Sequence, residues 1–250
     1  AEVLEKVIHL FHLLGAFQIH PFLKGRLALK GGTALNLFLF DVPRLSVDID
    51  LNYVGATPRD LMVAERPQVE AALQAVCARE GFRIARIPSE HAGGRWALRY
   101  TSALGQAGNL ELDLNYMFRV PLWPVVARDS RCIGSYRAAG IPLLDVHELA
   151  AGKLAALLSR RAGRDLFDAH QLLTACDLDR TRLRVAFVIY GAINRKDWRT
   201  VSLADVHIDP IELQNELVPM MRRQPLGDLG ATRVWPDRLI SECRKALSVV

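Results

Sequence analysis

LALKGGTALNLFLFDVPRLSVDIDLNYV, residues 27–54, is the stretch on which the rest of the chain depends. Leu27–Lys30 predicts a short strand and Gly31–Gly32 a turn. A helix is expected to open at Thr33, whose hydroxyl suits the capping of free backbone N–H groups. Two successive glycines ahead of a helix let the backbone approach a bound anion, and the helix dipole favours negative charge there. Pro43 marks a loop before a second strand, Ser46 to Tyr53. Side chains alternate along a strand, so Asp48 and Asp50 leave one face while Val47, Ile49 and Leu51 leave the other. Carboxylates held side by side repel each other unless a cation lies between them. Mg²⁺, which takes a few carboxylate oxygens together with substrate phosphates, suits such a pair. Taken singly, the glycines read as a tight turn and the acids as a solvated face. The apolar residues interleaved with the acids instead imply a strand with one buried face. A phosphate cradle followed closely by paired carboxylates is a layout for nucleotide chemistry.

The surrounding composition is that of a folded, water-soluble protein. With 250 residues, 50% hydrophobic and 24% charged, the chain can bury one large core or two modest ones, and its composition argues against bulk disorder. A net charge of +5 is compatible with an anionic partner, although Lys and Arg are spread along the whole length. The densest basic stretch holds Arg119, Arg128, Arg131 and Arg137 against Asp129, and reads first as a solvated loop. Cys77, Cys132, Cys176 and Cys243 lack C-x-x-C spacing, which argues against a zinc site and against a secreted disulfide framework. The opening AEVLEKVIHLFHLLGAF is amphipathic and lacks the basic start of a signal peptide, and no apolar run is long enough to span a bilayer. A cytoplasmic location is expected. The chain opens without Met, which suggests further residues upstream.

Outward from residues 27–54, Val3 to Gln18 predicts an amphipathic helix, with His9 and His12 flanking its apolar face rather than holding a metal. A helix from Arg59 to Glu80 follows, stopped by Gly81. The period then changes to two. FRIARI (82–87), RWALRYTSAL (95–104) and NLELDLNYM (109–117) read as strands joined by Gly-containing turns. In the last, Glu111 and Asp113 share a face, and either could supply a third carboxylate if this strand lies beside that of Asp48. Arg119 to Gly140 reads as an irregular excursion. Beyond Pro142 the pattern is helical: one helix after Asp145, one from Arg164 or Asp165, then Arg182–Asn194, Pro210–Met221 and Pro236–Leu247. The expected division is an αβ domain, 1–143, and a helical domain, 144–250, that completes the active-site cleft. Lys153, in the apolar run AAGKLAALL, can snorkel to solvent or reach toward phosphates. Asp165 and Asp168 stand one turn apart; a capping or salt-bridge role is expected for Asp165, and Asp168 is left open.

Three segments, LKGGTALNL (29–37), RLSVDIDL (44–51) and HELAAGKLAALLSRRAGRDLFD (147–168), together resemble the AbiEii/MenT nucleotidyltransferase toxins of the DNA polymerase β-like superfamily. Thr33 stands where the superfamily usually has Ser. The resemblance implies an α+β fold: a polymerase-β-like domain with a mixed sheet flanked by helices, followed by an all-helical domain. It implies a toxin of a bacterial toxin–antitoxin pair that transfers NMP from an NTP to an RNA acceptor, the 3′ end of tRNA in several members, and so blocks translation. Its implied partners are NTP, tRNA or another RNA, and a cognate antitoxin, with no membrane. Carried over, Gly31, Gly32 and Thr33 hold the NTP phosphates, with Arg44 and Ser46 in the same motif. Asp48, Asp50 and Asp113 bind Mg²⁺ or Mn²⁺, Lys153 contacts the triphosphate, and Asp168 orients a nucleophile or braces Lys153.

Two rival readings use the same residues. A metal-dependent nuclease would also cluster acids on strands, but leaves Gly31–Thr33 without a purpose. A catalytically silent nucleotide-binding module would act through a partner. Ser46, beside Asp48, is in addition a candidate for covalent inactivation, because a phosphate there would repel both carboxylates and NTP.

Overall fold

A computed structural model describes residues 2–88, 90–193, 196–207, 209–222 and 235–248. The chain divides into two compact units, Ala1–Asp145 and Val146–Val250.

The first unit is a mixed sheet with helices on it. Helix α1 (Glu2–Ile19) leads into β1 (Leu27–Lys30). A helical segment follows, α2 (Gly31–Thr33), continued by a π-helical turn, Ala34–Leu39. Next come β2 (Asp48–Tyr53), α3 (Arg59–Arg79), β3 (Arg83–Arg86), β4 (Gly93–Thr101) and β5 (Ala107–Asn115), then β6 (Val126–Arg128) and β7 (Ile141–Leu143). The strand order is β3-β4-β5-β2-β1-β7-β6. β2 runs parallel to β5 and β1 to β7, while the other neighbours are antiparallel.

Alternation fixes which side of this sheet is core. Leu27, Leu29, Ile49, Leu51, Trp96, Leu98, Leu110, Leu112 and Leu114 are buried. They meet the apolar faces of α1 (Val7, Leu10, Phe11, Leu14) and α3 (Val69, Leu73, Val76), with α1 packing on β5 and β7 and α3 on β3. Each large side chain so buried contributes about 1.5–3 kcal/mol, and a one-residue slip of β2 would put both aspartates into this core. The opposite face therefore has to carry Lys30, Asp48 and Asp50. His9 packs against Phe82 and Tyr100, and His12 against Tyr136, as core-flanking rings.

One reading of the excursion after β5 needs correction. Arg119 to Gly140 contains β6, which pairs with β7 as Val126–Leu143 through Arg128–Ile141. The basic residues there are partly tied down: Arg119 donates to the Thr57 carbonyl, Arg131 to that of Phe40, and Arg137 pairs with Asp129.

The second unit is helical: α4 (Val146–Arg160), α5 (Gly163–Ala175), α6 (Arg180–Ile193), the short α7 (Pro210–Glu212) and α8 (Trp235–Leu247). α4 packs on α5 and α6, and α5 on α8. Leu149, Leu154, Leu157, Leu166, Phe167, Leu172, Leu183 and Leu239 make the core. The single helix expected over Pro210–Met221 is instead three short turns, with Pro219 opening the last. Asn194, the expected end of α6, lies outside the described residues.

Candidate active site

Strand register gathers the charged residues of the first unit into one row. β1 and β2 place Lys30 opposite Asp50. β2 and β5 place Asp50 beside Asp113 and Asp48 beside Glu111. β5 and β4 place Asp113 opposite Arg95. The row across four strands reads Lys30, Asp50, Asp113, Arg95: two neighbouring carboxylates between two cations, at strand spacings of about 4.8 Å. Burial pushes the Asp113 carboxyl above the usual carboxylate range; the charges of Asp50 and Glu111 push the same way, opposed by Lys30 and Arg95. Glu111 is partnered separately, by Arg95 at 3.0 Å.

The start of α2 closes on this row. Lys30 is its N-cap, extended and without a side-chain cap bond, so the first N–H groups of the helix are left uncapped by side chains. Gly31 has φ +74°, and a Cβ on it would lie 2.0 Å from Asp50 Oδ2. Conformation and space both demand glycine there. Thr33 is not the N-cap expected from the sequence. It lies within the helix, fully buried, and its hydroxyl donates to the Asp48 carbonyl at 2.6 Å and lies 3.1 Å from the Ser46 hydroxyl. Thr33 thus ties α2 to the start of β2, which holds the glycines against the carboxylates. Gly32 is buried and its carbonyl accepts from Asn36 at 2.9 Å. Arg44 and Ser46 are buried too; the Arg44 guanidinium donates to the Leu45 carbonyl.

Among the described residues, no group of three or more Asp, Glu, His or Cys is arranged to hold a metal ion. Asp48, Asp50 and Asp113 therefore do not stand as a ready three-ligand site. The donor chemistry nonetheless fits a hard cation: the acids are all carboxylates, Asp113 lies beside Asp50, and burial pushes the Asp113 carboxyl toward its neutral form, a cost that a bound cation relieves.

In the second unit, Lys153 is 8% exposed, with its Nζ 2.9 Å from Asp165 Oδ1 and 2.9 Å from Asp168 Oδ2. Both aspartates are fully buried, and Arg160 binds Asp165 through two nitrogens, at 2.5 and 3.0 Å. Burial alone would push Asp165 up, but Lys153 and Arg160 hold its carboxyl down at about 2. Asp165 is thus part of a buried ion network, and Asp168 shares Lys153 with it.

Two residues of the row, Lys30 and Arg95, were not picked out in the sequence. Lys30 was in view, directly before Gly31 and at alternation with Ala28. What was missing was the antiparallel pairing that sets it opposite Asp50.

The family model "Nucleotidyl transferase AbiEii toxin, Type IV TA system" matches residues 12–233. A search of curated proteins finds no significant match. Among solved structures, the chain is similar to MenT4, the nucleotidyltransferase toxin Rv2826c of Mycobacterium tuberculosis H37Rv, with a TM-score of 0.67 at 19% identity over 97% of this chain and 82% of that one. It is more distantly similar to an antigenic nucleotidyltransferase-like protein of Paracoccidioides brasiliensis, with a TM-score of 0.43 at 16% identity over 75% and 86%. The MenT4 match shows a shared fold.

Proposed function

The chain belongs to the AbiEii family of nucleotidyltransferase toxins, a type IV toxin–antitoxin family, and on that premise we propose that it moves a nucleoside monophosphate from an NTP onto an RNA acceptor, the 3′ end of tRNA, and thereby stops translation. Membership implies a nucleotide substrate and an antitoxin partner. The observation that carries the reading is the contact of Gly31 with Asp50 in a row that also holds Lys30 and Asp113.

Each group in that row has a part to play. Gly31 and Gly32 leave backbone N–H groups of the helix start bare for phosphate oxygens, and Lys30 adds a positive charge beside them. Asp50, Asp48 and Asp113 would hold the divalent ion, Mg²⁺ or Mn²⁺. When bound, that ion neutralises charge on the triphosphate. A ribose hydroxyl attacks the α-phosphorus in line; the new O–P bond forms as the bond to the β-phosphate oxygen breaks. Pyrophosphate leaves with the electron pair, and the hydroxyl proton passes to solvent. Thr33 acts through position, fastening the glycine turn to β2. The family resemblance gives Lys153 and Asp168 parts as well. Within its own unit, Lys153 is held in two ion pairs, with Asp165 and Asp168.

Incubation with each labelled NTP, total tRNA and Mg²⁺ tests this. Wild type should label tRNA with one preferred nucleotide, and Asp48→Ala should not, although it folds. Labelling by that variant at the wild-type rate would defeat the assignment. RNA cleavage without NTP would favour a nuclease instead. NTP binding with no transfer to any acceptor would favour the silent module. A cytoplasmic site of action fits a tRNA target; among the described residues no helix is long and apolar enough to cross a membrane.

A further inference from the structure

The face that carries the carboxylates continues outward over β5, β4 and β3, and its charge changes sign along the way. On β4 the even-numbered Trp96, Leu98 and Tyr100 are buried, while Arg95 and Arg99 stand on the open side with their side chains exposed. Register carries this side onto β3: Arg83 is directly opposite Arg99, and after a bulge Arg86 is opposite Ala97. Arg83, Arg86, Arg95 and Arg99 therefore share a face with Asp113 and Asp50, about 5–15 Å away across one to three strands, with Arg99 and Arg83 a further four residues, about 13 Å, along them.

Folding alone does not account for this strip. Like charges directly opposed across two strands are destabilising, yet Arg83 faces Arg99. Among the described residues, the side chains of these two and of Arg86 have no ion pair or hydrogen bond. Charged side chains do protect an edge strand from pairing with another sheet, which accounts for Arg83 and Arg86 on β3. Arg99 lies on an interior strand, where that need is absent. Arg95 is held by Glu111, but remains 61% exposed.

We propose that Arg83, Arg86, Arg95 and Arg99 form a phosphodiester track that carries single-stranded RNA, the acceptor, across the outer sheet toward Asp113 and Asp50. The guanidinium fork matches phosphate oxygens in pairs. A polyanion lying on these arginines relieves the Arg83–Arg99 repulsion. The carboxylates at the inner end of the strip offer the polyanion no such seat, so they set where the track stops. This assignment rests on the nucleotidyl-transfer reading for the identity of the acceptor.

The test is binding of a fluorescein-labelled single-stranded RNA to the full chain, as a function of salt and without NTP. Arg83→Gln/Arg99→Gln should weaken binding about tenfold and make the dependence of log K on log salt shallower by about 1.4, two phosphate contacts at about 0.7 each. Arg83→Lys/Arg99→Lys should keep most of the affinity. Arg128→Gln/Arg137→Gln, which removes the same charge from the other end of the sheet, should change affinity less than twofold. Equal losses from both Gln pairs, or no loss from Arg83→Gln/Arg99→Gln, would overturn the track. Unchanged RNA binding with lost binding of polyglutamate would overturn it in favour of an acidic protein partner. Transfer of labelled NMP is followed in parallel with Asp48→Ala. If transfer persists in that variant while RNA binding follows the arginines, the catalytic assignment fails and the track stands. If transfer depends on Asp48 while RNA binding ignores the arginines, the track alone fails.

Discussion

Two clusters of charge, one in each unit, treat the same side chain in opposite ways. Asp165 in the helical unit is fully buried between Lys153 and Arg160, and its carboxyl is held down at about 2. Asp113 in the sheet unit is pushed up, because burial and the neighbouring Asp50 outweigh Lys30 and Arg95. The first cluster is compensated from within: every oxygen of Asp165 is bonded to a cation of the same unit. The second has two acids side by side, with a glycine pressed against one of them. Charge that the fold satisfies by itself belongs to stability. A carboxyl that burial lifts toward its neutral form, with a second acid beside it and no cation bonded to it among the described residues, points to a group that arrives from outside.

This contrast can be broken most forcefully at Asp165. Asp165→Ala strips Lys153 and Arg160 of a buried partner and should destabilise the chain by about 3–5 kcal/mol, read as a fall in the denaturant midpoint. A change below about 1 kcal/mol would mean that the cluster is not structural. At Asp50 the expected pattern is the reverse. Asp50→Asn should lower NMP transfer by about 10²–10³-fold, equivalent to about 2.7–4 kcal/mol in the barrier, with no loss of stability. Acid should discriminate next. A carboxyl whose folded-state value lies at about 2 against an ordinary 3.8 adds stability above the ordinary value and loses it as pH falls through the folded one. Unfolding followed from pH 4 down to pH 2 should show about 2 kcal/mol lost, and Asp165→Ala should remove most of that dependence. The smallest effect is expected at Glu111, which Arg95 already holds. Glu111→Gln should change the transfer rate less than about threefold, against 10²-fold or more for Asp113→Asn. A reversal of these two would make Glu111 the third carboxylate.

How much of this was legible beforehand depended on whether the signal was local. β1, β2, β4 and β5 were readable because alternation is written within each strand, and Asp48 with Asp50 and Glu111 with Asp113 fell on shared faces for that reason. The mixed αβ first half and the helical second half followed from the change of period, and the α+β fold class from the family resemblance. The pairing of Glu111 and Asp113 with the acids of β2 could not be read, since it depends on the β2–β5 register, which sets Asp113 beside Asp50 and Glu111 beside Asp48. Lys30 and Arg95 were missed on the same ground. β6 and β7, three residues each, are strands only through their neighbours and carry no period of their own. Thr33 was read as a cap because Thr before an apolar run usually caps. Its hydroxyl went instead to Asp48, a partner fifteen positions away that local pattern does not announce.

The central claim is that the fold holds Asp50 and Asp113 together at a cost, for the sake of a cation-bound triphosphate. Chemical unfolding of wild type and Asp50→Asn, each in chelator and then with Mg²⁺ and NTP, measures this directly. The account predicts that Asp50→Asn is at least as stable as wild type in chelator and gains nothing from Mg²⁺ and NTP, while wild type gains about 2.7 kcal/mol at a hundredfold excess over Kd. An Asp50→Asn variant that is less stable in chelator, yet stabilised by Mg²⁺ and NTP as much as wild type, would contradict it.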